Sequence, residues 1–131
     1  MEVGLIEEIL RAGEKSAQEI EVYLVEGRSV SAELKRERIA IATGSRDWGL
    51  SVRTIDHGQI GMSATSSPDR WEECLGAALA SMRLATPQEW KGLPEPAEPR
   101  GEASSFDPRV VPEPAAAQGF LRTMLEGAGE H

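Results

Sequence analysis

The chain carries one cysteine, Cys74, in 131 residues, so no disulfide closes within it. Histidine is nearly as scarce, with only His57 and His131, and aromatic residues make up 5%. A closed zinc site takes three or four His, Cys, Asp or Glu ligands at workable spacing. The chain has no H-E-x-x-H pair, so no metal ligand is assigned. No apolar run approaches the roughly 20 residues that span a bilayer, and no membrane contact is expected. The opening "MEVGLIEEIL" has no basic stretch before its apolar residues, unlike a secretory signal. A lone thiol without a signal points to the reducing cytoplasm. Basic residues are outnumbered, 14 Lys and Arg against 22 Asp and Glu, for a net charge of −8. That balance opposes attraction to nucleic-acid phosphates. The basic cluster "KRER", Lys35 to Arg38, reads as a solvated turn. No Walker loop, dinucleotide fingerprint or G-x-S-x-G elbow is found. No catalytic or cofactor-binding residue is therefore assigned.

What the chain does have is clear periodicity. Leu5, Ile6, Ile9 and Leu10 make the apolar stripe of a short helix, with Gly13 as its stop. From Glu19 to Thr65 the period becomes two. Ile20, Val22 and Leu24 alternate with Glu19, Glu21 and Tyr23. Val30, Ala32 and Leu34 alternate with Ser29, Ser31 and Glu33, and Ile39 and Ile41 continue. Leu50 and Val52, then Ile60 and Met62, follow on either side of Asp56-His57-Gly58, which reads as a three-residue hairpin loop. Short runs between polar interruptions predict an antiparallel meander of about five strands.

A second helix follows. Ser67 suits its N-cap, Pro68 its first position, and Trp71, Leu75, Ala78, Leu79 and Met82 its apolar stripe. Two helices covering one face of the sheet make an α+β layer over residues 1–86. Seven of the eight prolines lie between Pro87 and Pro114, so 87–114 reads as an extended Pro-rich arm. Residues 115–131 begin another helix, with Phe120, Leu121, Met124 and Leu125 as its apolar face. A helix this short needs a docking surface.

Chemistry is sparse. Cys74 reads as a small buried hydrophobe: Glu72 and Glu73 beside it disfavour a thiolate. His57 reads as an exposed turn residue. Trp48 and Arg53, on or near the polar face of the fourth predicted strand, are the surface candidates.

The order of these pieces resembles the N-terminal domain of the TldD/PmbA family, also called modulators of DNA gyrase or TldD/TldE metalloproteases. The resemblance rests on Glu21 to Leu24, Ser29 to Leu34, Gly49 to Arg53 ("GLSVR") and Gly61 to Ser66 ("GMSATS"). It continues through Cys74 to Leu84, "WKGLPEP" (Trp90 to Pro96) and "FDPRV" (Phe106 to Val110). The last two stretches look more like the PmbA/TldE branch. The resemblance implies a non-catalytic domain that helps assemble a protease and enclose its peptide substrate. Zinc is then implied only for a TldD-like partner subunit, and a homo-oligomer of the family is the other assembly implied. Family members are several-fold longer, and this sequence stops where the family linker enters the C-terminal domain. A free-standing α+β interaction module is the alternative reading.

Overall fold

The computed structural model describes residues 3–95, 97 and 107–129. Glu2, Pro96, residues 98–105 of the Pro-rich arm, Phe106 and His131 lie outside the described residues. The fold is α+β, in the order α1 (Val3–Gly13), β1 (Glu19–Lys35), β2 (Arg38–Asp56), β3 (Gln59–Thr65), a 3-10 turn (Pro68–Arg70), α2 (Trp71–Leu84) and α3 (Pro114–Gly129). The sheet order is β1-β2-β3, and β2 and β3 are antiparallel.

Five short strands were expected from the sequence, but there are three long ones. The tight two-residue hairpin turns that match strand twist use positive φ. Among the described residues, positive φ within the strand region occurs at Arg36 (52°) and Glu37 (62°), and at His57 (46°) and Gly58 (77°). The chain reverses at those two places. At Glu26-Gly27 and through "TGSRDWG" the backbone stays extended, so each interruption lies inside a strand. The second loop is also tighter than the sequence suggested. Asp56 pairs with Gln59, which leaves the two-residue loop His57-Gly58.

The described chain forms two compact units: Met1–Glu26 with Asp47–Ala97, and Gly27–Arg46 with Glu98–His131. In the first unit, Leu50, Val52 and Thr54 lie on one face of β2, opposite Thr65, Ser63 and Gly61 of β3. This face is the core. Leu50, Val52, Ile9, Cys74, Leu75 and Ala78 are all buried, with Leu5, Ile20, Val22 and Trp71 packed against them.

Two glycines let the helices approach. A Cβ on Gly61 would stand 2.1 Å from the Ala78 carbonyl oxygen and 2.3 Å from the Met82 nitrogen, so α2 lies directly on this strand. A Cβ on Gly13 would meet Ile20 Cδ1 at 2.1 Å. Gly13 thus ends α1 where the chain must pass close to β1, and its small size is what matters.

The start of α2 differs from the sequence reading. Ser67 is extended and its hydroxyl makes no cap. Its carbonyl instead accepts the Arg70 N–H at 3.0 Å, which closes the 3-10 turn on Pro68. At the other end, Gln59 Nε2 donates to the carbonyls of Ala85 (2.8 Å) and Arg83 (3.3 Å). Those carbonyls would otherwise lack helical partners.

In the second unit, Ser29 bonds Ser45 across the hairpin (2.7 Å) and Ser31 bonds Thr43 (2.9 Å). Pro114 opens α3 and touches Gly44, where an added Cβ would be 3.6 Å from the ring. A hollow between the hairpin and α3 is lined by Val30, Ala32, Val111, Ala117 and Leu121, and no residue of α3 is buried.

Candidate functional site

Alternation along β2 sends Trp48 and Arg53 to opposite faces. Arg53 lies on the face away from the helices, opposite Met62, and its Nη1 stands 3.4 Å from Glu21 Oε1. Both partners are partly exposed to solvent, so the pair contributes little to stability. Trp48 lies on the helix side. It is half-buried and lines a pocket of about 430 Å³ with Leu5, Pro68, Asp69 and Trp71. Trp71 belongs to the apolar stripe of α2, and its place beside Trp48 depends on how α2 packs, which spacing does not reveal.

Glu21 fixes which side of β1 faces Arg53, and Glu19, two residues away, shares it. The Glu19 carboxylate accepts Trp90 Nε1–H at 2.7 Å and the Leu93 N–H at 2.8 Å. The Gln88 N–H bonds the Gly58 carbonyl at 2.9 Å. Residues 88–93 are therefore a strap tied to this end of the sheet. Gly92 has φ of +97°, and a Cβ there would stand 3.3 Å from Glu19 Oε1. A positive φ of this kind suits glycine.

His57 is exposed at the hairpin tip, with Nδ1 3.1 Å from Asp56 Oδ1, and its N–H donates to Gln18 Oε1 at 3.0 Å. Cys74 is 4% exposed and sits near the start of α2, against Ser63 and Thr65. The end of α2 is the part that meets the hairpin turn, through Gln59. Cys74 and His57 are thus at opposite ends of that helix, and no nucleophile–base pair forms.

Among the described residues no group of three or more His, Cys, Asp or Glu is placed to hold a metal ion. Those described residues do not fit a zinc site. Among them, too, no helix is long and apolar enough to cross a membrane.

Two exposed pairs shift their carboxyl groups. Arg109 donates from its N–H (2.9 Å), Nε (3.0 Å) and Nη2 (2.7 Å) to Asp107. Those hydrogen bonds hold the Asp107 carboxyl below its ordinary range and raise the Arg109 guanidinium. The hydrogen bond from Arg70 likewise lowers Glu73, with the charge of Arg70 adding to it.

Several large apolar side chains of the second unit face solvent. Phe120 is 77% exposed, Met124 62% and Val110 68%. Together with the groove under α3 they make an apolar surface on one side of that helix.

Residues 20–82 match the family description "PmbA/TldA metallopeptidase domain 1". No curated protein matches. Among solved structures, TldE from Thermococcus kodakarensis shares the fold, with a TM-score of 0.83 and 23% sequence identity. The match covers 96% of this chain and 29% of that one, so the chain spans under a third of the length of that structure.

Proposed function

Residues 20–82 belong to the PmbA/TldD family as its first domain, and from that premise we propose that the chain serves as the non-catalytic N-terminal part of a TldE-like component of a protease assembly. The observation that carries this reading is the family match together with a TldE-type fold along 96% of the chain. Its work is assembly and enclosure of a peptide substrate. Zinc and the reacting groups belong to a TldD-like subunit in the cytoplasm.

The exposed apolar side of α3 supports an assembly role. Solvent-facing Phe120, Met124 and Val110 in one unit are the composition of a contact surface. The polar side of the first unit, with the Arg53–Glu21 pair, suits a wall that meets water and peptide. A self-standing interaction module is the second reading, favoured by the closed core around Leu50, Val52 and Leu75.

Incubation of the purified chain with quenched-fluorescent peptides, with and without added zinc, tests the non-catalytic part. The expected result is no hydrolysis in either condition. Zinc-dependent cleavage that survives Cys74→Ser and His57→Ala and follows the chain through purification would overturn it.

A further inference from the structure

The pocket shared by Trp48 and Trp71 combines features that no part of the proposed assembly role uses. Two of the three tryptophans in the chain line one hollow of about 430 Å³, with Pro68 and Leu5 beside them and Asp69 at the rim. An aromatic face attracts a cation through its quadrupole, most strongly when the ring is Trp. A carboxylate beside two indoles adds a full charge of the complementary sign. We infer that this pocket binds a cationic side chain, a guanidinium or an ammonium, of a peptide.

Four observations favour that ligand. Among the described residues the lining is apolar and aromatic with one acid and no base. Arg70, the nearest cation in sequence, is turned away: its guanidinium pairs with Glu73 and lines a separate hollow with Ser63 and Thr65. Glu72 in the first turn of α2 adds negative charge and offsets the positive helix end, which by itself disfavours a cation. The chain as a whole carries −8, so a cation approaches a favourable field. An anion would meet Asp69. A neutral apolar side chain would leave the Asp69 charge unused.

The pocket is built on rigid parts. Trp48 comes from β2, Trp71 and Asp69 from the turn and helix that Pro68 begins, and Leu5 from α1, whose Ile9 is fully buried. The peptide as carrier of the cation rests on the proposed role in a protease assembly. The cation site itself stands on the pocket, so its test and that of the assembly fail separately.

The test is a titration of the 131-residue chain with N-acetyl-arginine methylamide, read on the indole N–H signals in 1H–15N NMR. The citrulline analogue, neutral and nearly the same shape, is the control. Three indole signals are assigned by single Trp→Phe variants. The Trp48 and Trp71 signals should move saturably, with a Kd on the order of 1–10 mM, as for one weakly desolvated cation on aromatic faces. The Trp90 signal should stay in place. Asp69→Asn should weaken binding about 2–5-fold, the range of an exposed ion pair. If that variant disturbs the fold, high salt makes the same cut in the unmodified chain. Absence of saturable shifts, equal shifts with citrulline, or shifts confined to Trp90 would overturn the inference.

Discussion

Gly61 is where one methyl group should separate helix from sheet. A Cβ there would lie 2.1 Å from the Ala78 oxygen, 2.3 Å from the Met82 nitrogen and 2.7 Å from the Met82 Cα. All three are backbone atoms, so no rotamer change relieves the contact. To reach an ordinary 3.4 Å separation, α2 must move off β3 by about 1.3 Å. A gap of that size forfeits much of the dispersion attraction along Leu75, Ala78 and Met82. Overpacking of this kind costs about 3 kcal/mol in Gly61→Ala. With a urea slope near 1.5 kcal/mol/M, the midpoint should fall by roughly 2 M. Gly76, inside α2, is the internal control. An added Cβ meets nothing within 4 Å there, so Gly76→Ala should raise stability by about 0.8–1 kcal/mol. Urea unfolding followed by circular dichroism reads both. A Gly61→Ala midpoint within about 0.5 M of the parent would refute the close approach of α2.

Thr54 is fully buried and its hydroxyl has no hydrogen-bond partner, so Thr54→Val should stabilise by about 1–2 kcal/mol in the same assay. A loss of stability would mean the hydroxyl has a partner. Glu19→Gln removes the carboxylate that anchors the strap, and tryptic cleavage after exposed Lys91 should accelerate by about 5–10-fold, because strap opening then costs about 1 kcal/mol less. An unchanged cleavage rate would show that Glu19 does not hold the strap. Asp107 and Glu73 are depressed by Arg109 and Arg70, so each pair contributes fully above the ordinary carboxylate range and is lost as pH falls through the lowered folded values. Carboxyl 13C titration should place both below exposed reference carboxyls, and Arg109→Met should return Asp107 to the ordinary range. An unshifted Asp107 in the parent chain would count against the Arg109 pairing.

The layer architecture was legible because burial here follows period. Leu50 and Val52, and Leu75, Ala78 and Met82, are core residues at the spacings that predict a strand and a helix. Strand number was not, because Gly27 and the stretch through Gly49 look like turns but keep extended backbone. Arg36 and Glu37, with no glycine, make a turn that favours glycine or asparagine. The Ser67 cap failed because Pro68 opens a 3-10 turn before α2. At the candidate site, Trp48 and Arg53 were visible as residues, but their faces were not. Pairing of Arg53 with Met62, and of Trp48 with Trp71, depends on register and on helix packing. The Glu19 strap joins residues more than 70 positions apart, which no local pattern encodes.

Association with a TldD-like subunit from the same genome is the most direct test of the proposed role. Size-exclusion chromatography with light scattering of the co-expressed proteins should show one species with the summed mass. Phe120→Asp should separate it into its components while the chain keeps its circular dichroism spectrum. Separate elution of the two unmodified proteins, each at its own mass, would contradict the assembly role.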